Sequence, residues 1–440
     1  MIATALPVER LTREALLAPH GKVVKVLGLV IEATGPAGAV GDLCRLRVAR
    51  GSDSVLTEIV GFRDDRLLLM PLGEMDGVAP GSEVTPLGRP LTAPAGAGLL
   101  GRVFDGLGRP IDGRGRLDAH AVVPTRSTPP DPLARRRVAE PLPTGVRAID
   151  GLLTVGLGQR IGIFSGSGVG KSTLLGMIAR RTAADVNVIG LIGERGREVR
   201  EFIERDLGQD GLARSVLVVA TSDAPPQIRR QAAFTATAIA EWFRDQGQRV
   251  LLMMDSLTRF AHAQREVGLA IGEPPTTRGY TPSVFALLPR LLERAGTSPG
   301  TGAITGLYTI LVEGDDHNEP VADTARSILD GHVVLSRELA ERGHYPAIDV
   351  LGSVSRCMPD VVEGQHLAAA QTMRALVAAR RDVEPLLALG AYRPGSVPQA
   401  DRAIKAWPDI EIYLKQAVDD ASPFEKTIAR LAALVEIGAS

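Results

Sequence analysis

The sequence predicts an α/β protein built from three parts, and three observations carry this prediction. A glycine-rich turn between an apolar run and a helical pattern occupies residues 165–173. Short Val, Leu and Ile runs separated by Gly, Pro and Asp fill residues 22–91, which is typical of a small β-barrel or sandwich. After about Pro359 strand patterns cease and helical patterns follow. At 440 residues the chain is long enough for two or three such domains.

The central part alternates strand and helix patterns from roughly Pro141 onward. This alternation indicates a largely parallel sheet, with binding loops at the carboxyl ends of its strands. The strand candidates are Arg160–Phe164, Val186–Ile192, Ser215–Thr221, Arg249–Met254 and Ile304–Val312. The helix candidates include Pro226–Asp245, Val362–Glu384, Gln399–Ala417 and Pro423–Ile437. We therefore expect an N-terminal segment (1–20), a β-barrel (21–92), a P-loop domain (93–360) and a helical domain (361–440).

Composition excludes some classes of protein. The 50 Lys and Arg residues nearly balance the 51 Asp and Glu residues, so bulk charge gives no support for nucleic-acid binding. Cys44 and Cys357 lie far apart without metal-ligand spacing, which favours reduced thiols in a cytosolic protein. Residues 1–20 carry an amphipathic pattern and no signal-peptide pattern. That segment is either a frayed terminal helix or a docking peptide for a partner.

The most specific motif runs from the apolar residues Ile161–Phe164 through the glycine-rich turn into the helical pattern Leu174–Arg181. Phosphate oxygens need several backbone N–H donors converging from one side, and glycines let the backbone approach them closely. Lys171 is expected to reach the terminal phosphates and Ser172 to ligate Mg²⁺, beside the positive end of the helix. The predicted nucleotide-binding residues of the turn are Ser165, Gly166, Ser167, Gly168, Val169, Gly170, Lys171, Ser172 and Thr173.

One position departs from the G-x-x-x-x-G-K-[ST] pattern, because Ser165 stands in place of the first glycine. A small residue is tolerated there if the turn does not require a positive φ at that point. A glycine-rich turn with an exposed lysine is the alternative interpretation. The strand before the turn and the helix after it favour binding of a nucleoside triphosphate.

Three charged residues after the turn are candidates for chemistry. Asp255 ends a buried strand pattern, where a P-loop enzyme places an acid that holds Mg²⁺ and its waters. Glu194 follows the strand Val186–Ile192 and is either a general base facing the γ-phosphate or part of a solvated charge run. Arg356 follows a loop of small residues and is either a transition-state arginine supplied to a neighbouring subunit or a surface ion pair.

These pieces together resemble the α/β subunit superfamily of rotary ATP synthases. The resemblance rests on Pro346–Ser355 and on the order of P-loop, Gly193-Glu194-Arg195, Asp255-Ser256 and Ser353–Arg356, and it extends over nearly the full chain. It implies a RecA-like P-loop core that uses ATP and Mg²⁺. The implied catalytic residues are Glu194, Lys171, Arg356 and Arg195, the implied metal residues are Ser172, Asp255 and Glu198, and Tyr345 is the implied adenine contact.

Within that superfamily the chain is most similar to the flagellum-specific protein-export ATPases. The similar stretches are Ala220–Pro226, Arg229–Ala233, Gly272–Tyr280 and Val312–Pro320. The tract Gly343–Asp349 is closer to the injectisome type III secretion ATPases. The resemblance implies a cytoplasmic, homohexameric ATPase at the inner face of the membrane. It would bind a stator-like regulatory protein through residues 1–20, export chaperones with their flagellar substrates, and the membrane export gate.

Other functions stay open at this point. An injectisome ATPase would use the same chemistry in a different machine. A rotary synthase catalytic subunit would need a different partner chain, and a non-catalytic nucleotide-binding subunit would lack the carboxylate at Glu194. A nucleic-acid translocase disagrees with the neutral net charge and with the aromatic-poor β domain.

Overall fold

The computed structural model describes residues 20–35, 37–48, 54–312 and 319–437. Two sequence predictions therefore fall mainly outside the described residues. They are the docking segment 1–20, of which only His20 is described, and the flagellar-type stretch Val312–Pro320, of which residues 313–318 are not described. Within the described ranges no helix is both long and apolar enough to span a lipid bilayer.

Six antiparallel strands near the N-terminus close into a barrel in the order β1-β2-β5-β4-β3-β6. Their side chains alternate, so Val23, Ile31 and Leu46 point inward with less than 3% of their surface exposed. This confirms the predicted small barrel. The strands are β1 Gly21–Leu27, β2 Val30–Thr34, β3 Asp42–Arg47, β4 Ser54–Arg63, β5 Arg66–Pro71 and β6 Glu83–Pro90.

The central domain is organised around a nine-stranded sheet whose main order is β17-β16-β10-β15-β13-β11-β12-β8, with β14 paired to β15. All neighbours along the main order are parallel except β16 and β17. The sheet strands are β8 Val103–Asp105, β10 Arg160–Ser165, β11 Val186–Ile192, β12 Ser215–Ala220, β13 Arg249–Asp255, β14 Gly296–Thr297, β15 Ala303–Leu311, β16 Gly331–Leu335 and β17 Ile348–Ser355. A separate two-stranded antiparallel sheet pairs β7 Thr92–Ala95 with β9 Ala121–Pro124.

One local prediction is wrong: the small-residue segment before Arg356 is the end of strand β17 rather than a loop. Ile348 and Val350 in this segment are buried, and the strand pairs with β16 along the edge of the sheet. The ladder with β16 and this burial stabilise an extended chain despite Gly352 and the serines beside it.

Helices cover both faces of the sheet and so bury the apolar central strands on two sides. The longest covering helix, α5, spans Pro226–Asp245 as predicted. The helices of this domain are α1 Arg147–Leu152, α2 Lys171–Arg181, α3 Gly196–Glu201, α4 Gly208–Ala213, α5 Pro226–Asp245, α6 Leu257–Ile271, α7 Pro282–Leu292, α8 Pro320–Ile328, α9 Arg337–Glu341 and α10 Met358–Val361. A π-helical segment, Phe202–Leu207, joins α3 to α4, and 3₁₀ turns occupy Ala97–Leu99 and Thr277–Gly279.

Three helices form the C-terminal part: α11 Gly364–Ala388, α12 Pro398–Leu414 and α13 Phe424–Ile437. They pack on α1 of the central domain, where the backbone approach is close. A Cβ atom at Gly151 would stand 2.0 Å from the hydroxyl of Tyr413. The ring of His366 is 2.9 Å from the carbonyl oxygen of Gly151. The predicted order of barrel, P-loop core and helical domain is thus confirmed.

A buried carboxylate joins the barrel to the central domain. Glu58 of β4 is 1% exposed and accepts hydrogen bonds from Arg230 at 3.0 Å and from Gln231 at 3.1 Å. Arg126 and Gln227 donate to the same carboxylate. Because Gln227, Arg230 and Gln231 all belong to α5, this cluster fixes the barrel against the helix that follows β12.

Candidate functional site

The P-loop lies at the carboxyl end of β10, between β15 and β16 in the sheet. Gly168 and Gly170 adopt positive φ angles of 78° and 87°, which explains glycine at both positions. Ser165 is the last residue of β10, is 1% exposed and is not among the residues with positive φ. The exchange of glycine for serine there is therefore compatible with the turn. Helix α2 begins at Lys171, so its unpaired N–H groups face the turn.

Two acids meet the P-loop lysine. The Lys171 ammonium contacts Asp255 and lies 3.4 Å from a carboxylate oxygen of Glu194. Asp255 is the last residue of β13 and Glu194 lies just beyond β11, and these neighbouring parallel strands end at the same edge. The side chains of Lys171, Glu194 and Asp255 are 13%, 17% and 5% exposed. The fold thus gathers three sequence-predicted residues into one largely dehydrated cluster.

Burial and charge set the protonation of this cluster. Burial is the largest influence on Glu194 and raises the pKa of its carboxyl group. The charge of Lys171 opposes this rise, whereas Asp255 and a hydrogen bond with Glu198 reinforce it. The resulting pKa of Glu194 is about 7. Burial disfavours the charge on Lys171, but Asp255 and Glu194 outweigh burial and raise its pKa. Lys171 is therefore a permanent cation, and Glu194 exchanges its proton near neutral pH. A carboxylate of that kind suits general-base chemistry.

The other predicted site residues on α2 and α3 divide into two groups. Ser172 and Glu198 line the same small cleft as Glu194 and Asp255. Arg195 instead is 82% exposed and lies 3.7 Å from Glu198. The structure brings the acids and Ser172 together and leaves Arg195 at the solvent-facing rim.

The residues present fit a magnesium ion that is completed by ligands from outside the protein. Ser172, Asp255 and Glu198 offer only hard oxygen donors at the cleft. Among the described residues no group of three or more His, Cys, Asp and Glu side chains is arranged to hold a metal alone. Mg²⁺ in phosphate-transfer sites takes few protein ligands together with waters and substrate phosphates.

Tyr345 lies over the P-loop. A Cβ atom built on Gly170 would be 3.4 Å from two atoms of the Tyr345 ring, so the ring packs on the backbone of the turn. Tyr345 keeps 47% of its surface exposed. An exposed aromatic face beside a phosphate cradle is suited to a nucleotide base.

Arg356 lies at the opposite end of the sheet from the P-loop. It follows β17, whose last residue, Ser355, pairs with Gly331 at the start of β16. The Arg356 backbone N–H donates to Asp330, which also bonds Arg160, the first residue of β10. The P-loop begins at the other end of β10, roughly 17 Å away at about 3.3 Å per residue. The exposed side chain of Arg356 is therefore remote from the P-loop of its own chain.

Sequence reasoning missed Thr309. Its hydroxyl donates to a carboxylate oxygen of Asp255 at 2.6 Å. Thr309 is fully buried on β15, opposite Ile163 of the P-loop strand. The available signal was a threonine near the carboxyl end of a mostly apolar strand pattern, but it identifies no hydrogen-bond partner without the sheet order.

A phosphate-binding turn, a lysine between two acids and a largely parallel sheet define the class of P-loop nucleoside triphosphatases. Three family models match the chain: "ATP synthase alpha/beta family, beta-barrel domain" over 23–88, "ATP synthase alpha/beta family, nucleotide-binding domain" over 145–355 and "T3SS EscN ATPase C-terminal domain" over 362–433.

Full-length relatives agree with these models. The flagellum-specific ATP synthase of Bacillus subtilis is 55% identical over 416 residues, which cover 94% of this chain and 95% of the relative. The type 3 secretion system ATPase of Xanthomonas euvesicatoria is 54% identical over 417 residues, 95% of this chain and 94% of the relative. The solved structure of the assembled ATPase EscN from enteropathogenic E. coli superposes with a TM-score of 0.89 at 48% identity, covering 94% of this chain and all of that one. The chain belongs to the ATP synthase alpha/beta family, among its type III export ATPases.

Proposed function

We propose that this chain hydrolyses Mg-ATP to drive protein export by a flagellar type III apparatus, with its active site completed by a neighbouring copy of the same chain. The observation that carries the catalytic part is the contact of Lys171 with both Asp255 and Glu194 at the mouth of the P-loop. A non-catalytic nucleotide-binding subunit has no need of a carboxylate beside the P-loop lysine, so Glu194 favours an enzyme.

The proposed division of roles follows from the geometry. The backbone of Ser165–Gly170 and the start of α2 bind the phosphates, and Thr173 supports Ser172 in the first turn. Lys171 exchanges its carboxylate partners for phosphate oxygens when the nucleotide binds. Glu194 orients the attacking water and accepts its proton.

Magnesium is part of the proposal. Bound Mg²⁺ would supply positive charge to the phosphate oxygens. Ser172 is its proposed direct ligand, and Asp255 and Glu198 would hold its waters. Thr309 fixes the orientation of Asp255 through the hydrogen bond to its carboxylate. Arg195, at the rim, is proposed to meet the phosphates when the nucleotide is bound.

A homohexameric ring explains the position of Arg356. An arginine that meets the γ-phosphate can come from another subunit. Because Arg356 lies at the end of the sheet away from its own P-loop, a head-to-tail contact is the arrangement that uses it, and repeated contacts of this kind close into a ring. The EscN structure is described as an assembled ATPase, which supports this arrangement.

The flagellar assignment rests on sequence. The stretches Ala220–Pro226 and Gly272–Tyr280 favour the flagellar branch. Overall identity does not separate the branches, because the flagellar relative is 55% identical and the type 3 secretion relative is 54% identical. The injectisome ATPase is therefore the second candidate. In either machine we propose a location at the cytoplasmic face of the membrane, with residues 1–20 docked on a stator-like export protein. Chaperones, their substrates and the export gate are the further partners that we propose.

Deletion of the gene in the source organism separates the two machines. We expect loss of swimming and of secreted filament protein, restored by the wild-type gene and not by the Lys171→Ala gene. Lys171→Ala is the matched control because it removes the phosphate contact and leaves the other partner surfaces in place. Normal filament secretion after deletion, with loss of other secreted proteins, would assign the chain to an injectisome.

A further inference from the structure

Residues 415–420, the first part of the loop between α12 and α13, belong to the C-terminal part yet are held by the central domain. Arg147 of α1 donates to the carbonyl oxygen of Tyr413 at 3.0 Å, and it also contacts Lys415 and Asp420. Arg181, at the end of the P-loop helix α2, donates to the carbonyl oxygen of Val418. The loop is thus tied both to the helix that precedes β10 and to the helix that follows the P-loop.

Gln416 is the centre of this loop. It is 4% exposed, and its side-chain amide donates to the carbonyl oxygens of Gly145 at 2.8 Å and Asp420 at 2.9 Å. Its amide oxygen accepts from the backbone N–H of Arg147 at 2.8 Å. All hydrogen-bonding atoms of the side chain are engaged, so the backbone of Gln416 is fixed relative to α1.

The backbone of Gln416 in turn holds the proposed base contact. Its N–H donates to the carbonyl oxygen of Tyr345 at 2.9 Å. The Tyr345 ring packs on Gly170 of the P-loop and is otherwise half exposed. A continuous set of contacts therefore runs from α1 through Gln416 to Tyr345 and the P-loop.

We propose that Gln416 is a positioning residue for Tyr345, and that through it the C-terminal helical domain sets the affinity for the base of the nucleotide. The proposal rests on the proposed hydrolysis of ATP and on Tyr345 as the contact for its base, a role that the exposed ring beside the P-loop supports. An exposed aromatic side chain that is ordered only on binding reduces affinity by the free energy of ordering it. A backbone already fixed by Gln416 removes part of that cost before ATP arrives. Movement of the C-terminal helices would then change nucleotide affinity without touching the phosphate site.

The test is steady-state hydrolysis by Gln416→Ala, assayed at protein concentrations where the wild-type rate per chain is constant. We expect the KM for ATP to rise about 3- to 10-fold, as release of one ordered side chain implies, with kcat within about twofold. Binding of inorganic triphosphate with Mg²⁺, which has no base, is expected to stay unchanged. Damage to the P-loop itself would weaken ATP and triphosphate together.

A double-mutant cycle shows whether Gln416 acts through Tyr345. Tyr345→Ala alone is expected to raise the KM for ATP, and adding Gln416→Ala to it is expected to cause no further rise. His366→Ala is the matched control, since it breaks another 2.9 Å hydrogen bond between the C-terminal helices and α1 without contacting the loop. It is expected to lower the melting temperature and to leave the KM unchanged.

The outcomes distinguish an error in the role of Tyr345 from an error in the role of Gln416. If Tyr345→Ala leaves the KM unchanged, the assignment of Tyr345 as the contact for the base is wrong. If Tyr345→Ala raises the KM and Gln416→Ala does not, only the positioning role of Gln416 is wrong. That role is also overturned if Gln416→Ala weakens the binding of ATP and of inorganic triphosphate equally. Should Gln416→Ala fail to fold, Gln416→Met keeps the side-chain volume without the hydrogen bonds and carries the same test.

Discussion

At the scale of single residues, Lys171, Glu194 and Asp255 form the centre of the site that we propose for the phosphates. Each side chain is largely shielded from water, which by itself disfavours its charge. Placing one cation between two carboxylates compensates for this burial. A triphosphate offers the lysine new anionic partners, so we expect its arrival to free both acids for metal waters and for the attacking water.

Glu194→Gln is the residue-scale prediction. Glutamine keeps the size of the side chain but cannot accept a proton from water, so hydrolysis is expected to fall by about 10²- to 10⁴-fold. Binding of Mg-ATP is expected to persist, because the P-loop backbone and Lys171 are intact. Single-turnover hydrolysis and equilibrium binding, measured on the same preparation, check both parts.

The matched control for this variant is Glu201→Gln. Glu201 lies on the same short helix, α3, and is half exposed in an ion pair with Arg197 at 2.9 Å. We expect it to hydrolyse ATP as the wild type does. Hydrolysis by Glu194→Gln at the wild-type rate would remove Glu194 from the catalytic role.

At the scale of elements, the sequence predicted the central strands closely because long apolar runs bounded by charged or glycine residues mark buried parallel strands. Strand Val186–Ile192 and helix Pro226–Asp245 match their predicted limits. Strand β8, Val103–Asp105, lies in a glycine- and proline-rich stretch that is not among the predicted strands. It pairs with β12, a contact distant in sequence that no local pattern reveals.

The candidate site was predictable from the sequence only in part. Lys171, Glu194 and Asp255 stand at the ends of recognisable strands or turns, and parallel strands bring such ends together. Thr309 and Gln416 were not predictable, because their roles depend on which strand or loop lies beside them. The position of Arg356 at the far end of the sheet required the antiparallel pairing of β16 and β17, which the sequence did not indicate.

Helix α1 gives the element-scale prediction, which concerns pH. Asp150 is fully buried and accepts hydrogen bonds from the backbone and hydroxyl of Thr144 at 2.8 and 2.7 Å and from the backbone of Gly145 at 2.8 Å. Burial is the dominant influence and raises the pKa of Asp150 from 3.8 to about 6, despite these hydrogen bonds. The folded protein therefore holds this proton more tightly than the unfolded chain does.

The sign of the effect on stability follows from that difference. Below about pH 4 both states are protonated, and between about pH 4 and 6 the unfolded chain ionises first, so stability falls as pH rises. The full loss from this group, about 3 kcal/mol, persists above pH 6. Asp150→Asn cannot ionise, so the wild-type melting temperature is expected to fall relative to this variant between pH 4 and 6.5.

Thermal melts of both proteins across that range make the measurement. Asp382→Asn, at an exposed position on α11, is the control and is expected to follow the wild type at every pH. Melting curves for the wild type and Asp150→Asn that stay parallel across the range would contradict the buried-carboxyl assignment.

At the scale of the whole molecule, the proposed active site is divided between two chains. Each chain carries a P-loop at one end of its sheet and Arg356 at the other, so one chain alone holds all the parts but cannot bring them together. Identical subunits joined head to tail solve this geometry. The barrel, fixed to α5 through Glu58, and the C-terminal helices, fixed to α1, would then hold each subunit as a unit within the ring.

A mixture of two inactive variants shows whether neighbouring subunits share an active site. Lys171→Ala removes the proposed phosphate contact, and Arg356→Ala removes the arginine proposed to meet the γ-phosphate of a neighbouring subunit. Neither variant is therefore expected to hydrolyse ATP alone. In an equal mixture that exchanges subunits, roughly a quarter of the interfaces join an intact P-loop to an intact arginine. We expect the mixture to recover roughly a quarter of the wild-type rate of hydrolysis. A mixture that exchanges subunits and stays inactive at every ratio would contradict the divided site, as would wild-type hydrolysis by Arg356→Ala alone.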